Sequence, residues 1–192
     1  MLADRLELDF APDDACPRRG GRGFRQSYRF LEETTEAYMD NGNPPHISLL
    51  LGAFRDPHGE LLEVLDDLFA SWDAFAFGLV LGYDSPAKKC VWAKPAGEGA
   101  CIMHELRAAV LQELLEDECS LRRTAASRGP WTPHVTLYRR AGGDPSCLRV
   151  KREIAQDLDA SFYGPLVGYA TGASLWFGDD LVERFPFAGQ IY

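Results

Sequence analysis

Two short tracts decide the reading: Pro44-Pro45-His46-Ile47-Ser48-Leu49-Leu50 and Thr132-Pro133-His134-Val135-Thr136-Leu137-Tyr138-Arg139-Arg140. Each follows a proline and sets a histidine and a hydroxyl residue two positions apart in an apolar stretch. Alternation along a strand sends residues i and i+2 to the same side. His46 therefore points with Ser48, and His134 with Thr136. Ile47 and Leu49, like Val135 and Leu137, point the other way into apolar packing. Strict alternation also puts Tyr138 and Arg140 on the His134 face and Arg139 on the opposite one.

Similar elements surround both tracts. Before the first come a strand at Leu6 to Phe10, a Pro/Gly-rich turn region from Ala11 to Gly23, and a helix. Phe24, Tyr28, Leu31, Thr35 and Tyr38 recur at helical spacing until the turn from Asn41 to Pro45 stops them. After His46 follow an amphipathic helix from Leu61 to Trp72 and strands at Ala74 to Tyr83 and Lys89 to Lys94, the two strands turning at Asp84-Ser85-Pro86. A helix from about Ala100 to Glu118 completes the first round. After His134 come a helix near Cys147 to Phe162, a strand in Leu166 to Phe177 and another near Leu181 to Phe187. Strand, helix, strand, strand is thus spelled twice, with the histidines 88 residues apart. The expectation is an α+β protein: one domain over residues 1–192, made of two pseudo-symmetric lobes with small, mainly antiparallel sheets, outer helices and a central cleft.

If an approximate two-fold relates the lobes, two imidazoles and two hydroxyls line that cleft. Phosphodiester hydrolysis needs such a set: one neutral histidine takes a proton from water, and one protonated histidine gives a proton to the leaving oxygen. Imidazole serves either role near neutrality. Ser48 and Thr136 are placed to hold non-bridging phosphate oxygens. The pseudo-symmetry leaves both assignments open; the one adopted takes His134 as base and His46 as acid. The sequence offers no carboxylate cage for a metal, and no metal or other cofactor is expected.

The paired H-x-S/T signature, His46–Ser48 and His134–Thr136, resembles the 2H phosphoesterase superfamily, in particular its RNA 2′,3′-cyclic phosphodiesterase / 2′-5′ RNA ligase-like branch. The run from His134 to Arg139 is similar to that branch's second motif, which often carries Arg five positions after the His. The resemblance implies a bilobal fold with a central cleft, hydrolysis of cyclic phosphates without metal, and phosphate binding by Arg139. That last role requires a bulge or a strand end to turn Arg139 toward the histidine. Ser48 stands where the first motif often has Thr and keeps the hydroxyl. The expected substrate is a nucleotide or RNA end carrying a 2′,3′-cyclic phosphate or a 2′-linked phosphodiester. The alternatives are a nucleotide or RNA-end binding module without turnover, and 2′-5′ RNA ligation.

Composition narrows the partners. The formal net charge of −9 argues against a protein that tracks long duplex nucleic acid, which gains affinity from clustered Lys and Arg. No apolar run reaches the ~20 residues of a membrane-spanning helix, and Met1 to Phe10 carry acids rather than a signal-peptide core. The expected address is the cytosol, with the nucleus also open. Cys16, Cys90, Cys101, Cys119 and Cys147 are odd in number, scattered and without a Cys-x-x-Cys pair, which reads as free thiols. His58 and His104 lack a partner of the same pattern and read as structural or surface residues. Arg18, Arg19, Arg22, Arg25 and Arg29 read first as a solvated loop and helix face, and second as an electrostatic lip for a phosphate-bearing ligand. Trp131, Tyr138 and Trp176 are candidates for stacking on a base, and Tyr138 alone has a face argument.

Overall fold

The computed structural model describes residues 4–10, 21–39, 44–52, 54, 59–83, 90–116, 131–139, 146–161 and 165–188. Eleven elements alternate as the sequence predicts: β1 (Arg5–Phe10), α1 (Gly21–Tyr38), β2 (Ile47–Leu51), α2 (Glu60–Ala70), β3 (Phe75–Tyr83), β4 (Cys90–Ala96), α3 (Glu98–Glu116), β5 (Val135–Arg139), α4 (Cys147–Ser161), β6 (Val167–Phe177) and β7 (Asp180–Pro186). All strand pairings are antiparallel, in the order β2-β1-β6-β3-β4-β5, with β7 also on β6. The expected α+β class is therefore observed. The two small sheets join through the β3–β6 pairing into one hydrogen-bonded path.

The core follows from the alternation. Leu6 and Leu8 of β1, Ile47 and Leu49 of β2, and Val135 and Leu137 of β5 are buried, against Leu65 and Phe69 of α2 and Met103 and Leu106 of α3. Each helix buries a stripe at 3.6-residue spacing; in α2 it is Leu61, Leu65 and Phe69. Local chemistry fixes the ends. The Ser146 hydroxyl accepts from the Arg149 backbone N–H at the start of α4. Thr35 near the end of α1 bonds back to the Leu31 and Glu32 carbonyls. Gly97, between β4 and α3, has φ +67°, a left-handed turn that glycine adopts without strain. The turn regions at residues 11–20, 41–43 and 84–86, His58, Cys16, Cys119, Arg18, Arg19 and Arg140 lie outside the described residues, as does the Arg22 side chain. No described helix is long and apolar enough to cross a membrane.

Candidate active site

The two histidine tracts are built alike to the level of backbone defects. Each strand starts one residue after its histidine, and each imidazole is tied back to the chain. His46 Nδ1 lies 2.9 Å from the Pro44 carbonyl, and His134 Nδ1 lies 2.8 Å from the Thr132 carbonyl. A carbonyl only accepts, so Nδ1 carries the proton in both rings. Nε2 is then the atom left for chemistry. Ser48 and Thr136, two residues on, are both partly exposed.

Next, both strands bulge at the same place. Leu6 pairs with Leu50 and Glu7 with Ser48, which leaves Leu49 as the extra residue of β2. Val91 pairs with Tyr138 and Trp92 with Thr136, which leaves Leu137 as the extra residue of β5. β2 and β5 consequently share one burial sequence: buried, partly exposed, buried, buried, exposed. A bulge resets the alternation. It overturns the face expected for Tyr138, which is only 4% exposed and packs edge-on against Tyr38 of α1. The same reset returns the exposed Arg139, at the strand end, to the parity of His134 and Thr136.

β2 and β5 are the two ends of the strand order, yet the chain brings them together. The Trp131 indole N–H donates to the Ser48 carbonyl at 3.1 Å, so the approach to His134 leans on the His46 strand. Three residues of extended chain span at most ~10 Å. Arg107 of α3 reinforces the clasp: its Nε donates to the Leu49 carbonyl and its guanidinium lies 5.1 Å over the Trp131 ring. Partial burial lowers the Arg107 pKa from its ordinary value. His104, exposed on α3, meets Trp131 edge-on.

What surrounds the histidines differs between the tracts. Glu7 of β1, the cross-strand neighbour of Ser48, places Oε1 at 3.1 Å from His46 Nε2. The same oxygen accepts from Arg5 Nε at 2.7 Å. Arg5 in turn donates to the Gly178 carbonyl and stacks 4.9 Å from the Trp176 ring. Burial raises the Glu7 carboxyl above its ordinary range, while His46 and Arg5 pull it back. Asp9, two residues further along β1, is likewise raised by burial and accepts from the Ser174 hydroxyl. On the other tract, Trp92 of β4 is the cross-strand neighbour of Thr136. Its ring lies across Gly82 of β3, where any Cβ would collide with it.

Glu7 and Trp92 are the site neighbours that sequence reasoning missed. Period-two alternation made β1 and β4 legible as strands, but which strand each flanks is a non-local choice. Arg25 and Arg29 lie exposed on α1, and Arg29 pairs with Glu33 one turn on. Among the described residues, no group of three His, Cys, Asp or Glu side chains is placed to hold a metal ion. Cys90 and Cys147 are buried free thiols and Cys101 an exposed one. A depression of about 510 Å³ beside Ser71, Trp72, Asp73, Phe75 and Ile102 contains neither histidine.

The sequence profile of the 2′-5′ RNA ligase superfamily matches residues 17–164, more than half of the chain and both histidine tracts. The chain belongs to the 2′-5′ RNA ligase superfamily. That places it within the 2H phosphoesterase-like enzymes. Solved structures agree on the fold. TT0787 of Thermus thermophilus is 18% identical with a TM-score of 0.54, covering 99% of this chain and 100% of that one. LigT of E. coli complexed with 3′-AMP is 13% identical with a TM-score of 0.53, covering 97% and 98%. LigT complexed with NADP+ is 14% identical with a TM-score of 0.52, covering 98% and 99%. No curated protein matches the sequence. For this superfamily member, the whole element order, and not only the histidine tracts, has counterparts in solved proteins.

Proposed function

We propose that the protein is a metal-independent phosphodiesterase that opens 2′,3′-cyclic phosphates on RNA ends or nucleotides, or cleaves a close 2′-linked ester, with His46 and His134 as the proton-transfer pair. The observation that carries this is the duplication itself. Each histidine has Nδ1 held by the carbonyl two residues back, a hydroxyl two residues on and a bulge three residues on. A histidine in a merely structural role has no need for a second copy of that setting.

In the reaction, one Nε2 takes a proton from water as the water oxygen bonds to phosphorus. The P–O bond to the ribose breaks, and the other Nε2–H protonates the departing oxygen, giving a phosphomonoester. Ser48 and Thr136 donate to non-bridging oxygens, and Arg139, exposed at the end of β5, neutralises phosphate charge. The LigT complexes with 3′-AMP and NADP+ support a nucleotide-sized ligand for this fold. Joining a 2′,3′-cyclic phosphate end to a 5′-hydroxyl end would be the reverse of cleavage at a 2′-5′ linkage, with the hydroxyl in place of water, and is read as a longer product when the RNA carries a 5′-hydroxyl.

The test is incubation with 2′,3′-cyclic AMP and with a short RNA ending in 2′,3′-cyclic phosphate, in EDTA. The wild-type protein is expected to open a ring in EDTA. His46→Ala and His134→Ala should each lower turnover by about 10²–10⁴-fold with circular dichroism unchanged. Undiminished turnover in either folded variant overturns the reading. Tight nucleotide binding without product would make the paired-histidine site a binding site instead.

A further inference from the structure

We infer that Glu7 is a positioning residue for His46, holding a proton between its carboxylate and Nε2 for the acid role adopted above; this rests on the phosphoesterase reading above. The geometry distinguishes two rings that the sequence motif leaves equivalent. In both, the backbone carbonyl fixes a proton on Nδ1. At His46, Nε2 also faces a carboxylate oxygen, at 3.1 Å. Two acceptors cannot share that distance without a proton between them. The pair therefore holds a dissociable proton between Nε2 and the Glu7 carboxylate. Among the described residues, His134 has no carboxylate on Nε2, and a ring protonated on Nδ1 alone presents a lone pair there.

Arg5 favours keeping that proton on the imidazole, against the burial of Glu7, which is the larger influence on its carboxyl. Arg5 donates to the same Glu7 oxygen that His46 meets, which favours the carboxylate form. Arg5 is itself held by the Gly178 carbonyl and the Trp176 ring, so Glu7 is braced from behind. Burial of Glu7 acts in the opposite sense and pushes its carboxyl up. The charged groups around His46 are thus Glu7, Arg5 and Asp9 from β1, with Arg107 of α3 against the neighbouring Leu49 carbonyl and Arg184 of β7 near Asp9. In the free protein Glu7 occupies the proton that the departing ribose oxygen takes in the complex. As that oxygen accepts the proton, the P–O bond electrons pass to it and His46 becomes neutral; Glu7 keeps its charge and its bond to Arg5. Glu7 is a positioning residue, since it acts through His46.

Two measurements on the full chain test this. The first is ¹⁵N NMR of the histidine rings in the free protein near neutral pH, assigned with the His46→Ala and His134→Ala variants. A proton on both nitrogens of His46 and on Nδ1 alone in His134 is expected. Glu7→Gln, with nearly the same shape and no charge, should reduce His46 to a single ring proton at the same pH. The second is turnover against pH. Glu7→Gln should lower kcat by about 10-fold or more with little change in KM, and should change the shape of the pH profile. Identical protonation of the two rings in the wild type, or a Glu7→Gln profile that superposes on the wild-type one, overturns the inference. If no substrate is turned over, the phosphoesterase reading falls while the NMR still decides where the proton resides.

Discussion

The His46 half and the His134 half share a backbone and differ in what faces it. Leu49 with Leu50, and Leu137 with Tyr138, are the buried pairs that seat the bulge, and both strands end in an exposed residue. At the cross-strand position beside the hydroxyl, one half has a buried carboxylate, Glu7, and the other an indole, Trp92. At the exposed end, one half has Leu51 at 48% and the other Arg139. Duplicated apolar positions reproduce the geometry, because a bulge is fixed by which residues must be buried. The facing positions carry no such constraint, so they can give a symmetric frame a direction. On the proposed reading, the proton donor belongs to the β1–β2 side, while Arg139 and Trp92 add phosphate and base contacts on the β4–β5 side.

That division is tested most severely at its exposed ends. A hydrogen bond to a charged group contributes about 1.5–3 kcal/mol. Arg139→Ala should therefore raise KM for a cyclic phosphate by about 10–100-fold, while Leu51→Ala leaves it within about 2-fold. Equal effects at the two positions would mean that phosphate is held symmetrically and that the halves do not divide the work.

A smaller effect is expected at the indole. An added Cβ on Gly82 would collide with the Trp92 ring and must push it off β3. Base stacking is worth about 1–3 kcal/mol. Gly82→Ala and Trp92→Ala should thus weaken binding of 2′,3′-cyclic AMP by about 5- to 100-fold, with Trp92→Phe milder. The cyclic phosphate of ribose without a base should bind all of these variants alike. A matching loss for the base-free ligand would make Trp92 a support for the strand rather than a floor for the base.

Much of this was legible in the chain. The element order follows from local periodicity, and the histidine–hydroxyl faces from alternation, because both signals lie within a few residues. The bulge was not legible. It depends on Leu6 and Val91 crossing to meet two residues of a neighbouring strand, contacts some 40 to 50 residues away in sequence. Tyr138 was consequently given the wrong face. Arg139 could be turned toward His134 only by invoking the irregularity that the structure then supplied. Glu7 and Asp9 read as an ordinary half-polar strand, and only the strand order puts them beside His46. Trp131 drew notice as an aromatic; its bond to the Ser48 carbonyl belongs to tertiary structure alone.

The buried carboxylates of β1 also have a stability signature, carried by Asp9. Burial raises its carboxyl above the ordinary aspartate value of 3.8, against the Ser174 hydrogen bond and the positive charges of Arg184 and His46. A carboxyl with a raised folded-state pKa binds its proton more tightly in the native chain than in the unfolded one. Stability from that proton is present below the ordinary value and lost as pH rises through the folded one. Asp9→Asn keeps an oxygen for Ser174 and has no charge to bury. Its thermal midpoint should exceed that of the wild type at pH 7, with the gap closing as pH falls through the raised folded value and gone below the ordinary 3.8. A gap that persists unchanged at pH 3 would assign the gain to packing. Absence of any gap at pH 7 would mean that Arg184 and His46 already offset the burial of Asp9. The carboxylates of β1 would then be a balanced part of the His46 half rather than a cost borne for its chemistry.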